Sequence, residues 1–142
     1  LSLILLLTGC QPPAKPAATQ PPAPLTDATL SVLFAKDGCE YSGPKQVGSG
    51  LHTLKVANQD KAHNGYAIAL LALKEGKTIE DLKAWNSTDQ PSWSELVTYR
   101  EIKAGETVTY EARLNQGQVF IVCFSRPPEI YLGPVAAIEV QP

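Results

Sequence analysis

Residues 107–114 read Thr107-Val108-Thr109-Tyr110-Glu111-Ala112-Arg113-Leu114. Val108, Tyr110, Ala112 and Leu114 alternate with Thr107, Thr109, Glu111 and Arg113. Successive side chains of an extended chain point to opposite faces, so this pattern is a strand with one face on a core and one in water. An amphipathic helix would repeat its apolar positions every three or four residues instead. Just upstream, Lys103-Ala104-Gly105-Glu106 makes a turn out of a strand predicted at 92–102. Downstream, Asn115-Gln116-Gly117 turns the chain into 118–124, which is almost wholly apolar and reads as a central strand buried on both faces.

The same punctuation by Gly, Pro, Asn and Asp continues outward. It marks strands at 28–35, 39–41, 51–57 (with Leu54 and Val56 on one face), 65–73 and 134–140. Ser42-Gly43-Pro44 breaks the second of these, and Pro127-Pro128 breaks the strand at 118–124. Residues 78–85 alone look helical. There Thr78 is a cap, Asp81 lies three residues on, Ile79 and Leu82 share a face, and the early Glu80-Asp81 pair complements the helix dipole. Seven or eight short strands with one inserted helix imply an all-β sandwich for a domain at 26–142.

The start of the chain has a different character. Leu1 to Leu7 are apolar apart from Ser2 and lead to Leu7-Thr8-Gly9-Cys10. That run is far too short to span a bilayer but fits the apolar core of a signal peptide. Residues 1–9 are therefore expected to be a signal peptide, truncated at its start. The four residues ending at Cys10 resemble the bacterial lipobox, where cleavage precedes a cysteine that carries palmitate-type acyl chains. Residues 11–25 contain six prolines and four alanines. Proline lacks an N–H and favours polyproline II, so 10–25 is expected to be a lipidated cysteine on a stiff tether reaching about 45 Å. Membrane attachment through the lipid on Cys10 follows, with the domain in the bacterial cell envelope facing the periplasm or the cell exterior. Gln11 is not the Asp that retains such proteins at an inner membrane.

Composition narrows the partners. Net charge is −2, with 18% charged and 44% hydrophobic residues and no basic cluster. Nucleic acid, which needs clustered Lys and Arg, is thereby excluded. With Cys10 assigned to lipid, Cys39 and Cys123 remain in an oxidising compartment, where two thiols are more often bonded than free.

Two segments resemble the cupredoxin (plastocyanin-like) family. Ala57-Asn58-Gln59-Asp60-Lys61-Ala62-His63-Asn64 resembles the strand-turn whose His is the first copper ligand. Gly117-Gln118-Val119-Phe120-Ile121-Val122-Cys123 resembles the strand ending in the copper thiolate. Leu132-Gly133 and residues 135–140 resemble the closing strand, while Lys36-Asp37-Gly38 and Ser49-Gly50 fall at plastocyanin-like spacings. The chain is also similar to a group of secreted bacterial cupredoxin-like proteins that share Gly43-Pro44, an insertion like residues 73–82, and a Pro and Trp here at Pro91 and Trp93. The resemblance implies a cupredoxin-like Greek-key sandwich.

Departures from the family bear on its copper. A blue-copper centre takes two His, one Cys and a weak axial ligand such as Met. The resemblance puts the second His at 126 and the Met at 131; here these are Arg126 and Tyr131, and the chain has no Met. Arg stays protonated and cannot ligate a cation. His63 and Cys123 remain, so the metal site is expected to be vestigial and His63 a turn residue, with copper ligation the alternative. In the family the position of Cys39 is apolar and near the copper end. A Cys39–Cys123 disulfide filling the former site is therefore expected, with a Cys123 thiolate ligand as the alternative. His52, opening a strand, reads as a surface residue.

No nucleophile elbow, phosphate loop or zinc-type cysteine pair is present, so no enzyme is expected. Trp85, Trp93 and Tyr99 form a candidate contact surface for an unknown protein or small molecule. The expected function is a lipid-anchored, copper-less binding or envelope-assembly module. The alternative is a copper-binding or electron-transfer protein using His63 and Cys123.

Overall fold

The computed structural model describes residues 28–36, 38–61, 65–126 and 128–142. Residues 1–27, with Cys10 and the tether, lie outside this set, as does His63. The elements in order are β1 (Thr29–Ala35), β2 (Gly38–Ser42), β3 (Gln46–Gly48), β4 (Gly50–Asn58), β5 (Gly65–Leu73), α1 (Ile79–Trp85), β6 (Ser94–Lys103), β7 (Thr107–Leu114), β8 (Gly117–Arg126) and β9 (Ile130–Gln141). They form a four-stranded sheet ordered β2-β1-β4-β7 and a five-stranded sheet ordered β3-β9-β8-β5-β6. The chain repeatedly crosses between the layers, which makes β1 with β4 and β3 with β9 parallel pairs among otherwise antiparallel ones. Among the described residues this is an all-β sandwich of two sheets with one short helix, as the strand pattern implied, with nine strands in place of seven or eight.

The additional strand is β3, whose three residues are too few to show a period. It exists because the chain steps from one sheet to the other at Ser42-Gly43-Pro44. The Tyr41 hydroxyl donates to the Pro44 carbonyl at 2.6 Å and clamps that step. A Cβ on Gly43 would lie 2.6 Å from the same hydroxyl oxygen, so only glycine fits beneath the tyrosine. β9 begins at Ile130, earlier than residue 134. Pro134, opposite Val122, is accommodated where the β8–β9 register shifts, and β3 joins β9 only farther along, opposite residues 139–141. The strand edge there needs no N–H.

The alternation at β7 holds, with Ala112 and Leu114 buried and Thr107, Thr109, Glu111 and Arg113 exposed. Between the sheets, Leu30, Val32 and Phe34 of β1 and Leu54 and Val56 of β4 meet Tyr66, Ile68 and Leu70 of β5 and Val119 and Ile121 of β8. His52 belongs to this inward face, which corrects its reading as a surface residue. It is 3% exposed, because the period of two places it with Leu54 and Val56. Its Nε2 lies 2.7 Å from the Gly48 carbonyl, and its Nδ1 has no hydrogen-bond partner among the described residues.

The five-stranded sheet is buried on its outer face as well. Ala67, Ala69 and Leu71 of β5 and Phe120, Val122 and Phe124 of β8 pack there with Leu82 of α1. Alanines at 67 and 69 leave room for the helix. Asp81 anchors the start of α1 by accepting from the Thr78 amide at 2.8 Å and the Thr78 hydroxyl at 3.1 Å. Asn86, in the left-handed conformation (φ 43°), ends the helix.

Candidate functional site

β8 presents Cys123 to the inter-sheet core, where it is fully buried. On β2, Cys39 pairs in register with Phe34 of β1. The two sulfurs are bonded to each other, with Cα atoms 6.6 Å apart, inside the range a disulfide requires. Face-packed sheets usually stand ~10 Å apart, so the bridge marks a place where the layers close on one another.

Three residues along β8, Arg126 lies opposite Gly65, the first residue of β5. Its Nη1 is 2.8 Å from Glu101 Oε1 and 3.0 Å from Glu129 Oε2, and it donates to the Tyr99 hydroxyl. That last bond and the two carboxylates hold the guanidinium above its ordinary pKa. Tyr131, opposite Phe124 on β9, donates its hydroxyl to the Leu82 carbonyl at 2.6 Å, and burial pushes its pKa up to about 12. These groups do not suit a cupredoxin copper centre. At the positions where the sequence resemblance would look for ligands, the Cys123 sulfur is bonded to another sulfur, Arg126 is a cation held by carboxylates, and Tyr131 is a phenol that keeps its proton. Among the described residues no three His, Cys, Asp or Glu side chains gather into a metal-holding group.

On the outer face of the five-stranded sheet, α1 and the loop after it stand away from β5 and β8 and leave a cleft with a cavity volume of about 100 Å³. Ala69, Leu71, Val122 and Phe124 form its floor, and Trp85, Leu96, Tyr99 and Tyr131 its walls. Asp89 and Glu129 are the acidic residues of the lining. Trp85 is 38% exposed and Leu96 46% exposed, both large apolar groups left in contact with water.

Polar ends of the wall aromatics are tied to the scaffold. The Trp85 indole N–H donates to the Asp89 carbonyl at 2.9 Å, the Tyr131 hydroxyl to Leu82, and the Tyr99 hydroxyl is held by Arg126. Trp93 supports Trp85 edge-on, with ring centroids 5.8 Å apart, and Lys77 Nζ lies over it at 5.1 Å. Of the three aromatics named from sequence, Trp85 and Tyr99 thus share one cleft and Trp93 stands behind them in the apolar layer. Tyr131, Phe124, Asp89 and Glu129 were not anticipated. The short spacings of Trp85 with Asp89 and of Arg126 with Glu129 were local signals; Phe124 and Tyr131 come from segments far along the chain from Trp85.

No protein-family model matches the chain. No curated protein matches it. Among solved structures, dithionite-reduced auracyanin from the photosynthetic bacterium Roseiflexus castenholzii is similar at 14% identity, covering 80% of this chain and 97% of that one, with a TM-score of 0.48. Auracyanin B is similar at 11% identity, covering 84% of this chain and 97% of that one, with a TM-score of 0.49. At those levels the likeness assigns neither ligand nor activity to this chain.

Proposed function

We propose that this chain is a lipid-anchored, extracytoplasmic cupredoxin-like module that binds a partner or serves an envelope assembly without using copper. The observation that carries this reading is the Cys39–Cys123 bond, which removes the thiolate a blue-copper site depends on. Arg126 supports it. A cation fixed by Glu101, Glu129 and Tyr99 stands where a second imidazole would be needed and opposes the approach of a metal ion. The aromatic cleft supplies the exposed apolar surface of a binding module, and the lipobox-like Leu7-Thr8-Gly9-Cys10 with its tether supplies the anchor.

Two measurements test the two halves. Titrating the purified, unreduced domain with Cu(II) is expected to give no intense thiolate-to-copper band; such a band, abolished by Cys123→Ser, overturns the copper-less reading. In the full precursor, Cys10→Ser is expected to abolish acylation and release the protein from the membrane fraction. Unchanged acylation and retention would defeat the anchored reading.

A further inference from the structure

We propose that the outer-face cleft beside α1 is a binding site for an organic cation of the quaternary or methylated ammonium class. This rests on the reading of the chain as a binding module and names the ligand chemistry of that module. The floor is apolar, from Ala69, Val122 and Phe124, so the bound group must bring a hydrocarbon surface. The walls are aromatic. The N–H of Trp85 and the hydroxyls of Tyr99 and Tyr131 are engaged by the scaffold, which leaves ring surface to face an occupant. The negative face of an aromatic ring attracts a cation, most strongly for Trp and for cations that are weakly hydrated.

The charge balance points the same way. Asp89 and Glu129 line the cleft, and among its described lining residues there is no Lys, Arg or His. The neighbouring cations already have partners: Arg126 pairs with Glu101 and with the lining Glu129, Lys77 with Asp81, and Lys83 with Glu80. Arg126 carries one positive charge against two carboxylates, and among the described residues Asp89 has no ion pair, so the surroundings of the cleft stay net negative. A cavity of about 150 Å³ holds one benzene, a group about as bulky as a trimethylammonium head; at about 100 Å³ the cleft takes part of such a head and leaves the rest of the ligand at its open side. A phosphate or carboxylate ligand would meet both acidic groups, and a purely apolar ligand would leave them without a counter-charge.

The test is a titration of the folded domain with choline, with its uncharged tert-butyl analogue and with phosphocholine, followed by calorimetry and by tryptophan fluorescence, to which Trp85 contributes from within the cleft. Saturable binding of choline, roughly tenfold or more tighter than its neutral analogue, is expected. Trp85→Leu should weaken it roughly tenfold, and Asp89→Asn, which keeps the backbone carbonyl that Trp85 uses, about threefold. Unchanged thermal midpoints would show that both variants remain folded. Tighter choline than phosphocholine identifies a free organic cation, and the reverse a lipid headgroup. No saturable response to either, or equal binding of the neutral analogue, overturns the proposal. That failure leaves the copper-less module standing, since only the copper titration bears on it.

Discussion

Breaking the Cys39–Cys123 bridge is the perturbation whose magnitude can be worked most directly. The bond closes a loop spanning 84 positions and joins β2 of one sheet to β8 of the other. In the chain-entropy account, a loop of that length removes about 4.5 kcal/mol of freedom from the unfolded chain. Packing offers little to offset the loss. Cys123 is fully buried and Cys39 partly so, and two reduced thiols would remain as small apolar groups in nearly the same volume. In a domain of about this size each kcal/mol moves the midpoint by about 4 °C, so reduction is expected to lower it by about 15–20 °C. Because Cys123 is out of reach of solvent, the protein must be reduced in denaturant and refolded before the thermal scan. The variant carrying Cys39→Ala and Cys123→Ala should melt at or slightly below the reduced protein, since each truncation adds a small cavity. Mass spectrometry after alkylation checks the premise, with no modified cysteine in the unreduced, unfolded domain. Two alkylated cysteines without reductant, or reduced and oxidised forms that melt within a few degrees of each other, would refute the reasoning.

Other perturbations address the frame around the site. Asn58 is buried, donates through Nδ2 to the Lys103 carbonyl at 3.0 Å and accepts from the Asp60 amide at 2.9 Å. Asn58→Ala should cost about 2–3 kcal/mol by leaving buried partners unsatisfied, read as a lowered denaturant midpoint; a cost near zero would mean that water replaces both bonds. Burial pushes the hydroxyls of Tyr41, Tyr110 and Tyr131 up to about 12. In the unfolded chain these phenols ionise near 10, so stability present below that pH falls as pH rises from about 10 to about 12. Urea midpoints should decline across that window while tyrosinate absorbance rises, and a flat stability profile would contradict the burial of these rings.

Local chemistry was enough for most strands, because a period of two survives in any segment long enough to repeat. Residues 107–114 show it from residue order alone, 118–124 show instead the continuous apolar run of a strand buried on both faces, and α1 announces itself by Thr78 and Asp81. The approach of Cys39 to Cys123 was legible for a different reason. Motifs at Asn58 and Gly117–Cys123 implied a known sandwich, and the sandwich brought distant strands together. Where no repeat and no motif exists, residue order is silent. β3 is three residues long, and its place beside β9 depends on a sheet-to-sheet step stabilised by Tyr41 and Pro44.

His52 shows the limit within a single strand. Its alternation with Leu54 and Val56 already placed it inward, yet a histidine at a strand's start invites a surface reading unless the opposing layer is known. The cleft was beyond sequence altogether. Trp85, Trp93 and Tyr99 could be named together, but Phe124, Glu129 and Tyr131 reach Trp85 and Tyr99 only because α1 docks on the outer face of β5 and β8, over Ala67 and Ala69. Strand period, the lipobox-like start and the presence of Arg126 and Tyr131 where the resemblance would look for copper ligands were therefore set by residue identity alone. Which surface is left open, and with what charge, was decided by packing between segments far apart in the chain, since a cavity belongs to the space between elements and to none of them singly.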